Sequence, residues 1–196
     1  MMRWTRVLPA IGVLVLATAV LAGEPWIMET WQRQGASVDF KKVVVVGIST
    51  DGPTRRRFED KFVTNLRGQR MECITGWSIV EDLGDAPETE VVVKALLEEG
   101  VDTVITVRLT PPGEDPTAWK DQLENDVGVR DYITSALGES PDLTKPVEAW
   151  VSLWNRGTGQ QVWAARTGPH KISKLRKNAS EIVREVINDL KHDQIF

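Results

Sequence analysis

Apolar positions along this chain fall first into a solid run, then into spaced stripes, and the alternation of the two predicts its elements. KKVVVVGIS, residues 41–49, holds four consecutive valines. Such a run, closed by Asp51, Gly52 and Pro53, predicts a strand buried on both faces. The period then changes. Phe58, Phe62 and Leu66 recur every four residues and make one stripe of a helix, with charges elsewhere. Thr50 or Asp51 suits its cap, Pro53 its first turn and Gly68 its end. RMECITGWSIV, residues 70–80, reads as a second strand that leaves through Gly76. EDLGDAPETE, residues 81–90, is a loop delivering a helix with Val93, Leu96 and Leu97 on its core face and Gly100 as its stop. VDTVITVRLT, residues 101–110, is the third strand. Strands alternating with helices imply largely parallel pairing, because each return needs a crossover.

At Pro111 the pattern breaks. Residues 111–146 carry five prolines, eight acids and three bases, a net of −5. Trp119, Leu123 and Val127 keep a helical spacing there, and YITSALG, residues 132–138, predicts another turn or two. The expectation is a partly helical acidic insertion over one edge of the sheet, and long excursions of this kind are usually functional or mobile. PVEAWVSLWN, residues 146–155, then alternates, with Ala149, Val151 and Leu153 on one side and Trp150, Ser152 and Trp154 on the other. RGTG turns the chain and QQVWAARTG returns it, a hairpin. NASEIVREVINDLK ends the chain as a helix with Ile182, Val183, Val186 and Leu190 on one face, and Asn178 with Glu181 resembles a capping box. The predicted class is α/β: a mixed sheet of about five strands packed with about three helices.

The first 22 residues read as a secretory signal. Arg3 and Arg6 precede the apolar VLPAIGVLVLATAVLA, and Val20 and Ala22 suit a cleavage site before Gly23. The apolar stretch is shorter than the roughly 20 residues that span a bilayer. The organisation expected is therefore a signal at 1–22, an arm at 23–38 with Trp26, Ile27 and Trp31 on the surface, and one α/β domain at 39–196 with the insertion at 111–146. Without Arg3 and Arg6, 22 basic residues stand against 28 acidic ones, a net of −6. That balance argues against nucleic acid as a partner, since phosphates demand a basic face. The single Cys73 has no internal disulfide partner; it is either buried or free to pair with another chain, and its place in a strand favours the buried thiol.

Strand, glycine turn and basic helix start, as in VVVVGISTDGPTRRRFED, are the parts of a phosphate site. GISTDGPT, however, has neither the glycine density nor the lysine of a nucleotide loop, and Pro53 has no N–H to give. Ser49, Thr50 and the helix start, aided by Arg55 or Arg56, remain as candidates to hold an anion. The competing reading makes the three arginines a solvated face paired with Glu59 and Asp60. His170 and His192 show no metal-ligand spacing, no serine-elbow motif occurs, and no calcium loop is present. No catalytic residue, metal or cofactor is therefore assigned. Eight tryptophans are many for one chain. Trp150 and Trp154 share a strand face and form either a core layer or an aromatic surface for a protein partner.

FKKVVVVGIS, RRRFEDKF, LLEEGVDTVITVRLT and the strand pair around WNRGTGQQVW together resemble a group of bacterial periplasmic and outer-membrane lipoproteins of unassigned function. These are similar in turn to the curli-export lipoprotein and to the amino-terminal domain of the Tol-system periplasmic protein. The resemblance covers about residues 39–110 and 147–190 and implies a layered α/β domain used for envelope assembly or binding. The chain departs from the lipidated members in carrying Glu24 where their cysteine stands. The functional expectation is a non-enzymatic periplasmic binding or assembly module with an envelope protein as partner. The alternatives are an anion- or small-ligand-binding protein using residues 47–56, and a hydrolase with an unrecognised site.

Overall fold

The computed structural model describes residues 25–35, 38, 40–82, 89–98, 100–113, 128–137 and 141–195. The signal-like segment and the helical spacing at Trp119, Leu123 and Val127 lie outside them. The valine run forms strand β2, Lys42–Ile48, and it is buried on both faces as its composition requires. Val43 and Val45 enter one core, and Val44, Val46 and Ile48 the other. Helix α1, Gly52–Arg67, follows. Asp51 is its N-cap, the carboxylate accepting from Thr54 N at 3.0 Å. The Phe58, Phe62 and Leu66 stripe is fully buried against β2.

Strand β3, Glu72–Thr75, runs parallel to β2 on one side, and β4, Thr103–Thr110, runs parallel on the other. The predicted strand over 70–80 is only four residues long; from Gly76 the chain turns into helix α2, Gly76–Asp82. Gly76 allows this because its Cα lies against β2, where a Cβ would meet Val45 O at 3.1 Å. Helix α3, Thr89–Glu98, buries Val92, Val93, Leu96 and Leu97, and Gly100 adopts φ +65° just beyond it.

The acidic insertion contributes helix α4, Val129–Leu137. It does not lie over a sheet edge as expected. Val129, Ile133 and Ala136 are buried in the same core as α3 and Val44 of β2, so α4 covers a sheet face. Strands β5, Glu148–Asn155, and β6, Gln161–Thr167, form the predicted hairpin, antiparallel to each other, with β5 also antiparallel to β4. The expected N-terminal arm differs more. Residues 27–32 form strand β1, antiparallel to β6 at the sheet edge, and Ile27 is buried. Its mixed polarity is what an edge strand with one wet side shows. The sheet order is β1-β6-β5-β4-β2-β3, six strands with five helices among the described residues.

Helix α5, Ile172–His192, is longer at its start than the pattern predicted. Lys171 is its N-cap, without a side-chain bond, and the Asn178–Glu181 capping box does not form. Asn178 sits inside the helix, its Nδ2 donating to Lys174 O at 2.9 Å, while Glu181 accepts from Trp26 Nε1 at 3.3 Å. Helices α1 and α5 pack on one face of the sheet, and α3 and α4 on the other, with Ile79 and Val80 of α2 beside them.

Candidate functional site

The two crossovers leave the sheet on opposite sides. β2 feeds α1 on one face, and its neighbour β3 feeds α2 and α3 on the other. Where adjacent parallel strands part in this way, a crevice opens beyond their carboxyl ends, the place where open α/β sheets hold ligands. A cavity of about 230 Å³ lies there. Gly47 of β2, Arg55 and Glu59 of α1, and Gly76 and Trp77 of α2 line its polar end, and Val46 of β2, Val80, Val92, Leu96 and Leu137 its apolar wall.

Glu59 holds the crevice together. It falls on the apolar side of α1, four residues before Val63 and seven before Leu66, and it is 1% exposed. Its Oε1 accepts from Gly47 N at 2.8 Å and its Oε2 from Trp77 N at 2.7 Å. One carboxyl thus ties the end of β2 to the start of α2. Burial pushes it up from 4.5 to about 7, against the pull of those two N–H groups and of the Arg55 guanidinium. Such a carboxyl changes charge near neutral pH.

Gly47 is required by close approach. A Cβ there would stand 2.4 Å from Arg55 Cγ, 3.0 Å from Glu59 Oε1 and 3.2 Å from the Arg55 Cα. The glycine of GISTDG lets the first turn of α1 settle on β2, and its N–H is given to Glu59. Arg55 Nε is shut off from solvent and has no hydrogen-bond partner among the described residues.

The sequence candidates separate in space. Arg55 reaches the cavity, and Ser49 and Thr50 are not among its lining residues. Ser49 Oγ accepts from Asp51 N at 3.0 Å, a local turn, and the Asp51 carboxylate occupies the N-terminus of α1 and stands 3.6 Å from Arg176. An acidic cap in that position competes with any anion arriving at the helix start. Arg56 bonds Glu81 of α2 and lies over the Trp77 ring, 5.3 Å from its centroid. The expected pairing of the arginines with Glu59 and Asp60 is replaced: Glu59 is committed to backbone, and Asp60 accepts from Trp77 Nε1 at 3.0 Å.

Trp150 and Trp154 are 6% and 2% exposed. Trp154 Nε1 donates to Thr106 Oγ1 at 3.2 Å, and its ring packs 4.8 Å from that of Tyr132 on α4. The Arg166 guanidinium lies 5.6 Å from the Trp150 ring centroid and is bonded to Glu29 and Glu148. Both tryptophans therefore sit within the layers of this chain. Trp163 points into the opposite core, its Nε1 donating to Asp193 Oδ2 at 2.8 Å. Cys73 is buried, as its strand position predicted.

Glu59 and Trp77 were not singled out by sequence. For Glu59 the signal existed, since residues 59, 62, 63 and 66 share one helical face and a charge at a core position asks for an explanation. For Trp77 none did, because its place follows from the early end of β3. Among the described residues no group of acidic, histidine or cysteine side chains is arranged to hold a metal, and no helix is long and apolar enough to cross a membrane.

No family model matches the chain, and no curated protein matches it by sequence. Among solved structures it is similar to a PelC dodecamer from Paraburkholderia phytofirmans in space group C2, at 12% identity and a TM-score of 0.41, over 80% of this chain and 96% of that one. A second PelC dodecamer, in space group P6, gives 11% and 0.39 over 80% and 94%. Lipoprotein GNA1162 from Neisseria meningitidis gives 14% and 0.38 over 76% and 99%. Likeness at this level specifies neither a ligand nor an oligomeric state for this chain.

Proposed function

We propose that this chain is a non-enzymatic binding module of the bacterial envelope, with the crevice between Arg55, Glu59 and Trp77 as its recognition site. One observation carries the reading: Arg55, whose guanidinium has no hydrogen-bond acceptor among the described residues at Nε, lines a mainly apolar cavity. A guanidinium beside an apolar cavity is a charged donor, and it points to an acceptor supplied from outside. Glu59 fits this reading better than a catalytic one. Both its oxygens already accept backbone N–H groups, which makes it a clasp between β2 and α2. The envelope location is supported by the leader pattern of residues 1–22 and by the family resemblance of residues 39–110 and 147–190.

The test is mass spectrometry of the protein purified from the periplasmic fraction, under native and then denaturing conditions. The expected result is a small molecule released on denaturation from wild type and absent from Val80→Phe, whose ring fills the cavity. If nothing is released, and no small-molecule panel raises the melting temperature, the pocket reading fails, because a ligand that binds only the folded state must stabilise it. Recovery of the chain in the cytosol would remove the envelope assignment separately.

A further inference from the structure

Resting on the binding reading above, we infer that the crevice takes a small organic acid: one carboxylate on an apolar body about the size of a single ring. The volume sets the body. A cavity of about 150 Å³ is enough to hold benzene. The crevice, at about 230 Å³, has room for a ring or a short branched chain and one compact head group. The wall sets its character. Val46, Val80, Val92, Leu96 and Leu137 come from four different elements and converge on this space, and they offer a ligand apolar burial and no hydrogen bonds.

The polar end sets the head. Of its two charged groups, Glu59 has both oxygens engaged, by Gly47 N and Trp77 N, whereas the Arg55 guanidinium lines the cavity as a donor. The site is therefore a donor in search of an acceptor. Arginine remains charged at every relevant pH, so its bond to a carboxylate is charge-assisted. A cationic ligand would meet Arg55 at close range. A neutral apolar ligand would desolvate the guanidinium and give it no acceptor. Inorganic phosphate would set strongly hydrated oxygens against five aliphatic side chains, with no donors there to replace the lost water.

The test is calorimetric titration of the purified chain with benzoate, with benzyl alcohol as a neutral molecule of the same size, and with inorganic phosphate. Benzoate is expected to bind, and benzyl alcohol to bind about tenfold to a hundredfold more weakly, the loss of one charge-assisted bond. Arg55→Gln should weaken benzoate by a similar factor and benzyl alcohol much less, so that the preference for the acid is lost. Val80→Phe should abolish both. Circular dichroism confirms that each variant is folded, and should Arg55→Gln unfold, Val80→Phe together with the benzyl alcohol comparison decides. If benzyl alcohol binds as tightly as benzoate, the acid head group is wrong while the pocket stands. If phosphate binds through Arg55 and benzoate does not, the apolar body is wrong. If none of the three binds and native protein releases no small molecule, the inference falls together with the reading beneath it.

Discussion

Glu59→Gln should remove a defined pH dependence from folding stability. The wild-type carboxyl is buried and lifted from 4.5 to about 7, so the folded chain holds this proton more tightly than the unfolded chain does. Its contribution to stability is then fully present below pH 4.5 and is lost as pH rises through about 7. At about 1.4 kcal/mol for each tenfold change in proton affinity, the rise is worth roughly 3 kcal/mol. The side chain is 1% exposed, so solvent screening does not reduce this figure much. Glutamine keeps the shape and cannot ionise. Urea denaturation of both proteins from pH 4 to pH 8.5 gives the stability of each, and the difference between them isolates this site, because distant groups shared by both cancel. The wild-type advantage over Glu59→Gln should fall by roughly 3 kcal/mol across the range, most steeply between pH 5 and pH 7. A difference that stays flat, or that grows as pH rises, would refute the argument, for it would mean that the two N–H groups and Arg55 cancel burial or outweigh it.

Gly47→Ala should destabilise the chain by roughly 1–3 kcal/mol in the same assay, because the new methyl meets Arg55 Cγ at 2.4 Å and the Arg55 backbone cannot retreat from β2 without moving α1. Phe62→Ala, at a fully buried position between α1 and the sheet, should cost about 3–5 kcal/mol and lower the denaturation midpoint without changing its slope. Asp51→Ala should cost about 1 kcal/mol through loss of the Thr54 cap, the partly exposed contact with Arg176 adding little. Burial pushes the Cys73 thiol up to about 11, so at pH 8 an aromatic disulfide reagent should leave native protein unmodified and titrate one thiol after unfolding; rapid native reaction would contradict its burial.

The local elements were legible because each is written in the chain at its own period. Four valines in a row and the alternation from Ala149 to Trp154 suit strands buried on both faces, and the Phe58, Phe62 and Leu66 stripe suits a helix buried on one. Asp51, Pro53 and Gly100 act within a few residues of themselves and behave as expected. Arg55 was legible as a candidate from its place after the glycine turn. Its separation from Ser49 and Thr50 was not, since that depends on how α1 lies on β2.

What escaped the pattern was settled by contacts between distant parts of the chain. Residues 27–32 have no period of their own and become a strand because β6 offers an unpaired edge. Asn178 and Glu181 have the letters of a cap, but α5 starts earlier because burying Leu175 extends its apolar face. Helix α4 crosses onto a sheet face because Val129, Ile133 and Ala136 find α3 there. Glu59 looks like any surface acid until Gly47 and Trp77, 12 residues before it and 18 after, bring their N–H groups to its two oxygens. Local sequence decides which backbone each segment adopts, because propensity and periodicity act over a few residues. Which segments become neighbours, and so where a crevice opens, is decided by burial and hydrogen-bond pairing across the whole chain, and those acquire a value only once the partners have met.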